Sequence, residues 1–315
     1  MEHLRDINSL RLDGCELTIG SFDGVHRGHQ ALIAAMSAKA KQTNHPIVVL
    51  SFYPHPSVVL RGRQPAFYIT LPEERAVLLE QLNVSYVLTL RFNENLAQYN
   101  AETFLKTIYD RLSFRGLWVG ENFALGHRRE GSPLYLEKAG ERMGFELHVV
   151  PPLLVDGEVV SSTRVREALR SGDVARVARY LGRLFTLPGV VVTGSDRGKT
   201  LGFPTANLSI WKERACPGPG VYACNAAIGD KRYAAVTNVG VRPTFGDEDG
   251  KVLVETHLLD FEGDLYGEVM RLTFVDRLRD EQRFSGPEEL IRQITRDIRH
   301  ARRLMGQVPI GNQHG

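Results

Sequence analysis

The run from Gly20 to His29, Gly-Ser-Phe-Asp-Gly-Val-His-Arg-Gly-His, sets two imidazoles three positions apart behind two glycines. A short apolar run, Cys15 to Ile19, precedes it. Gln30-Ala-Leu-Ile-Ala-Ala-Met, with helical spacing, follows. The order is strand, tight turn, helix. Gly20 and Gly24 let the backbone turn sharply and approach a ligand, with Phe22 and Asp23 between them. A helix start offers unpaired N–H groups and the positive end of the dipole, so the position suits phosphate. His26 and His29 beside it can donate hydrogen bonds to a phosphate chain and stabilise charge on a leaving pyrophosphate. An isolated His-x-Gly-His is more often a Gly-rich turn with two surface histidines; the flanking strand and helix favour function.

A second group lies in Gly198-Lys-Thr-Leu-Gly202-Phe203-Pro204-Thr205-Ala-Asn207. Its glycine-rich backbone can wrap phosphates, and the Thr205 and Asn207 oxygens suit a hard cation such as Mg²⁺. Asn238-Val-Gly-Val-Arg242-Pro-Thr-Phe is a loop of similar character. Glu255 lies in a strand-like run whose alternation puts it on one face with Leu253 and His257, opposite Val254, Thr256 and Leu258. A solvated carboxylate is the commoner fate of such a Glu, a base the alternative. The nearby Gly194-Ser-Asp-Arg-Gly-Lys-Thr imitates a P-loop. It has three residues between its glycines where four are required, and Leu201-Gly-Phe-Pro would break the helix that a P-loop enters.

Strands alternating with helices must position the first group. The strands are Cys15–Ile19, Ile47–Phe52, Tyr86–Leu90, Gly116–Val119 and Glu146–Val150. Helices follow His29, run from a Thr70 cap to Leu82, and cover Ala101–Leu112 and Leu134–Arg142. This pattern predicts a mostly parallel sheet wrapped on both sides, with ligands beyond the carboxyl ends of the strands. His26, His29, His55 and Gly120-Glu-Asn122-Phe fall at those ends. Ser161-Ser162-Thr163-Arg164-Val-Arg166 offers a cap together with hydroxyl and guanidinium donors for a phosphate. After a helix over Asp173–Leu181 the period changes to short strands over 185–192, 220–227, 233–239, 252–259 and 269–274, a pattern suited to a small closed barrel. A helix from Pro287 closes the chain. The boundaries are 1–183, 184–306 and a tail over 307–315.

With 315 residues and a formal charge of +2, nothing marks a dedicated nucleic-acid or membrane binder. The opening residues lack a signal-peptide core, and no apolar run is long enough to span a bilayer, so a cytoplasmic chain is expected. Cys15, Cys216 and Cys224 are scattered and favour neither disulfides nor zinc.

Taken jointly, Thr18-Ile-Gly-Ser-Phe-Asp-Gly-Val-His-Arg-Gly-His-Gln, Val119-Gly-Glu-Asn-Phe and Ser161-Ser-Thr-Arg-Val-Arg resemble the nucleotidylyltransferase half of the bacterial bifunctional riboflavin kinase/FAD synthetases. The second half, with Pro219-Gly-Val-Tyr-Ala and Leu258-Leu-Asp-Phe-Glu-Gly-Asp-Leu-Tyr-Gly, resembles riboflavin kinase. The resemblance implies a Rossmann-like α/β domain followed by an all-β closed barrel with a C-terminal helix. It implies that the barrel makes FMN from riboflavin and ATP, and that the first domain adenylylates FMN to FAD with release of pyrophosphate. His26 and His29 would contact the ATP phosphates within a site that includes Gly20, Phe22, Asp23 and Gly24. Asn122 would hold nucleotide or flavin, and Ser162, Thr163 and Arg166 would close on the triphosphate. In the barrel, Thr205 and Asn207 would bind Mg²⁺-ATP in a site including Gly198, Gly202, Phe203, Pro204, Asn238 and Arg242. Glu255 would be the base, with Arg283 and Phe284 at the flavin pocket. Two departures stand out: Tyr53 where Asp is common, and Leu125 for the usual aromatic. The expected partners are small molecules, without nucleic acid or membrane, in a monomer or weak homo-oligomer. A transferase acting on another phosphorylated substrate, or a flavin-binding regulator, would have no need of Glu255, Thr205 and Asn207.

Overall fold

Ile47-Val-Val-Leu-Ser is buried along its whole length because helices cover both faces of its sheet. The computed structural model describes residues 1–62, 67–194, 201–244 and 247–307, with the side chains of 242–251 and 307 outside that description. The chain divides into two compact units, Met1–Ser162 and Thr163–Gly315.

The first unit runs β1 (Glu2–Leu4), β2 (Glu16–Ile19), α1 (Arg27–Thr43), β3 (Ile47–Tyr53), α2 (Pro56–Arg61), α3 (Pro72–Glu80), β4 (Tyr86–Arg91), α4 (Glu94–Ala97), α5 (Ala101–Leu112), β5 (Gly116–Gly120), α6 (Pro133–Met143) and β6 (Glu146–Val150). A small hairpin, β7 (Leu154–Val155) and β8 (Glu158–Val159), follows. The six-stranded sheet has the order β1-β4-β3-β2-β5-β6 and is parallel throughout. From β2 the chain winds outward through β3 and β4, then returns to lay β5 and β6 on the other side. The carboxyl end of β2 is therefore the topological switch point, where ligands of such sheets bind. Alternate residues feed two cores. Leu17, Ile19, Leu50 and Leu117 pack with Phe104, Leu105 and Leu136 on one face. Val49, Val87 and Trp118 pack with Ile33, Met36 and Leu79 on the other.

The second unit begins within α7 (Ser162–Arg170), continues through α8 (Val174–Leu181), and closes a barrel from β9 (Thr186–Val192), β10 (Ala206–Ser209), β11 (Gly220–Ile228), β12 (Lys231–Thr244), β13 (Asp247–Leu258) and β14 (Val269–Arg279). The barrel order is β10-β13-β12-β11-β14-β9. Helix passes to strand between Gly182, a left-handed C-cap, and Thr186, but α7 and α8 group with the barrel. The reason lies in the α7–α8 turn: Gly218 N–H donates to Leu169 O at 2.7 Å, and Arg277 Nη1 donates to Ser171 O at 3.3 Å. α9 (Pro287–Gln307) lies against β12, β14 and β11. Its Asp297 accepts from Arg279 Nε at 2.9 Å.

Candidate functional site

The turn after β2 has an unusual backbone. Phe22, Gly24 and Val25 all have positive φ, at 49°, 80° and 40°. A β-branched residue there is a steric outlier, held only where surrounding contacts over-determine it. Asp23 supplies several of them. Its side chain is fully buried, and its carboxylate accepts from Ile69 N, Thr70 N and Thr70 Oγ1 at 3.0–3.2 Å. Gly24 N donates to Thr70 Oγ1 at 2.9 Å, and Ser162 Oγ donates to the Asp23 carbonyl at 2.9 Å. The Asp23 carboxylate is enclosed by residues 69–70. One expectation is corrected here. Thr70 is no helix cap: α3 starts at Pro72 with Leu71 before it, because Asp23 claims the threonine.

α1 begins at Arg27, between the two histidines expected at its start, with His26 itself the N-cap: its Nδ1 accepts from His29 N at 3.4 Å. In the neutral ring the proton then sits on Nε2. The two imidazoles stack, centroids 3.6 Å apart and tilted by 18°, with Phe22 against His29 at 4.7 Å. Burial first, then the neighbouring His26 and Arg75, hold the His29 pKa well below its ordinary 6.5. His29 Nδ1 is buried without a hydrogen-bond partner.

Gly20 and Ser21 open onto a cavity of about 640 Å³ whose walls include Phe52, His55, Phe104 and Phe123. Such a space suits a flat, largely apolar ligand. His55 caps α2, its Nδ1 accepting from Ser57 N at 3.0 Å. Tyr53 packs 5.6 Å from Tyr68, and Leu125 joins the core while also lining the cavity. Asn122 is exposed in the turn after β5, its carbonyl accepting from Arg129 at 3.0 Å. Ser162 reaches the turn through Asp23. Thr163 and Arg166 lie further along α7, in the second unit.

In the barrel, register assembles the second group. Glu255 on β13 pairs with Asn207 of β10 on one side and with Asn238 of β12 on the other. Paired residues share a face, so three polar side chains form a row across three strands. Val254, Thr256 and Leu258 are buried on the opposite face, as the alternation predicts. Thr205 is exposed immediately before β10. Gly202, at φ 83°, makes the left-handed turn ahead of Phe203. Gly194 is small for a reason unrelated to phosphate: the Asn207 amide occupies the space where a side chain would project. Sequence reasoning passed over His257. Its Nδ1 lies 2.8 Å from Pro204 O and its ring meets the Phe203 edge at 5.7 Å, tying the Gly202–Thr205 loop to the strand that carries Glu255. The signal was present, two residues from Glu255 on the same face. Arg283 is exposed, and Phe284 lies under the Arg279 guanidinium at 5.6 Å. Gly198 and the Arg242 side chain fall outside the described residues.

The family model for FAD synthetase matches residues 9–164, and that for riboflavin kinase residues 181–305. The chain is 37% identical over 311 residues to the bifunctional riboflavin kinase/FMN adenylyltransferase of Escherichia coli strain K12, covering 97% of this chain and 98% of that one. It is 38% identical to the corresponding protein of Pseudomonas fluorescens, covering 96% and 98%. A crystal structure from Streptococcus pneumoniae described as a macrolide-efflux protein is similar at TM-score 0.87 and 29% identity, over 96% and 98% of the chains. That description is of a transporter, whereas both matched family models are of enzymes; among the described residues no helix is long and apolar enough to cross a membrane. With both halves matched in order and nearly full-length relatives above 30% identity, the chain belongs to the bifunctional riboflavin kinase/FMN adenylyltransferase family.

Proposed function

We propose that the two activities divide at the helix-to-strand change, with FMN adenylylation carried by 1–183 and riboflavin phosphorylation by 184–306. In the first, the flavin ring of FMN occupies the aromatic cavity, and its phosphate lies at Gly20–Ser21. An FMN phosphate oxygen attacks the α-phosphorus of ATP, and pyrophosphate leaves. His26, His29 and the α1 N-terminus hold the triphosphate as charge moves onto the leaving group. Phe22 and Gly24 shape this turn, and Asp23 acts through it. Asn122, Ser162, Thr163 and Arg166 complete the nucleotide site. The observation that carries this reading is the stacked histidine pair at the switch point beside a cavity of flavin size.

In the barrel, Glu255 accepts the proton of the ribityl hydroxyl as that oxygen attacks the γ-phosphorus of ATP, and ADP leaves. Gly202, Phe203 and Pro204 form the nucleotide loop, Asn238 flanks the base, and Gly198, Arg242 and Arg283 extend the site. The donor set fits a hard cation, since Thr205 and Asn207 offer neutral oxygens beside a carboxylate in register. Mg²⁺ bound there would offset charge on the β- and γ-phosphates. The protein works in the cytoplasm on small molecules, as a monomer or weak homo-oligomer, without nucleic acid or membrane; its near-balanced charge supports this.

The test is incubation of the full chain with riboflavin, ATP and Mg²⁺, with flavins separated by chromatography. Glu255→Ala blocks FMN formation and leaves FAD formation from supplied FMN; His29→Ala does the reverse. If either substitution abolished both steps in a folded protein, the division of labour would be wrong.

A further inference from the structure

Behind the phosphate turn lies a charge that the chemistry above does not use. Arg75, on α3, is 1% exposed. Its Nη1 donates to Ser51 Oγ of β3 at 2.7 Å, and Ser51 Oγ donates to the Ser21 carbonyl at 3.1 Å. The relay ends inside the turn, one residue before the strained Phe22. The guanidinium also feels the charge of the enclosed Asp23 carboxylate: burial lowers the Arg75 pKa, and Asp23 is the largest opposing influence, with Tyr68 and Glu73 after it and Arg5 acting against them. Arg75 Nε is buried without a hydrogen-bond partner. A buried, incompletely matched guanidinium is a poor stabiliser compared with an apolar side chain of the same shape. Its value lies in what it holds.

We propose that Arg75 is a positioning residue for adenylyl transfer, fixing the Ser21–Asp23 floor of the turn from beneath without touching nucleotide or flavin. The inference rests on the reading that this turn binds the triphosphate. Phe22 and Val25 at positive φ are strained and would relax if the floor loosened. Relaxation would move His26 and His29, which follow directly. The Arg75 charge also opposes protonation of His29, adding to the larger effects of burial and of His26. The cavity walls at Phe104 on α5 and Phe123 after β5 stand on elements outside the Arg75–Ser51–Ser21 relay.

The experiment compares Arg75→Met, Arg75→Lys, Ser51→Ala and His29→Ala in the full chain, measuring FAD formation from supplied FMN and FMN formation from riboflavin. Displacement of reacting groups by about 1 Å can cost on the order of 100-fold, so kcat for FAD formation should fall at least about tenfold in Arg75→Met. KM for FMN should change less than kcat, because the ring contacts at Phe104 and Phe123 are kept while the phosphate end at Ser21 loosens, and FMN formation should be unchanged, because the barrel is untouched. Arg75→Lys should recover part of the loss. Ser51→Ala, which keeps the buried charge and tests the relay if Arg75→Met folds poorly, should lower kcat by about threefold with the same split. The His29 pKa, followed by NMR, should rise in Arg75→Met. Wild-type kcat in both Arg75→Met and Ser51→Ala, or no recovery in Arg75→Lys, overturns the proposal while His29→Ala remains inactive. Full FAD formation by His29→Ala instead overturns the reading of the turn itself.

Discussion

The rings of His26 and His29 stack face to face at 3.6 Å, an arrangement that two imidazolium ions would resist. One ring caps the helix that the other stands on, and burial holds the His29 imidazole towards its neutral form.

The pH consequence has a definite sign. Because the folded pKa of His29 lies well below 6.5, the unfolded chain takes up its proton first as pH falls. The contribution of His29 to stability is complete above pH 6.5 and declines below it, by up to about 1.4 kcal/mol per pH unit. Denaturant midpoints measured between about pH 5 and 7 should fall less steeply in His29→Asn than in the parent chain.

Gly194→Ala should separate activity from stability. The new Cβ meets the tip of the Asn207 side chain, which can swing aside at little cost. Riboflavin phosphorylation should drop by about tenfold or more while the melting temperature changes by no more than about 2 °C. Unaltered FMN formation would remove Asn207 from the site.

His257→Ala frees the Pro204 carbonyl and the Phe203 ring from β13. Titration of FMN formation with Mg²⁺ should show a severalfold higher requirement, on the order of the 10-fold loss seen when outer supports of a metal site are removed. His257→Asn, which retains a donor near Pro204 O, should lie between the two. FAD formation from supplied FMN should not change.

Asp297→Ala tests how α9 is held. Asp297 accepts from Arg279 Nε and from Gln293 Nε2, each at 2.9 Å, and both partners of the ion pair are largely buried. Removing the carboxylate strands a guanidinium, so a loss of about 3 kcal/mol in unfolding free energy is expected by denaturant titration. Asp297→Asn should lose less.

The turn after β2 was legible because its glycines and histidines are local punctuation between a strand and a helix. The barrel face of Glu255 was legible because Val254, Thr256 and Leu258 alternate cleanly. What could not be read was anything fixed by a distant partner. Thr70 has the look of a helix cap, and only the fold reveals that Asp23 recruits it. β10 is four residues long, starts two residues after Pro204 and carries polar residues, so only its pairing with β13 and β9 defines it as a strand. β1 is shorter still, and it became the sheet edge because β4 offered it a parallel partner. The helix-to-strand change near Gly182 was visible in composition. The attachment of α7 and α8 to the barrel was not, since it depends on Arg277 and Gly218, far along the chain.

The enclosure of Asp23 also bears on portability. A protein engineer who grafted Gly20–His29 between a strand and a helix of another parallel sheet would carry over the two imidazoles but not the amides of Ile69 and Thr70 that hold the acid in place. In the recipient, that carboxylate would be loose, and the positive φ of Phe22 and Val25 would lose the contacts that hold it. The smallest transferable unit is the ten-residue motif together with the segment around residues 69–70.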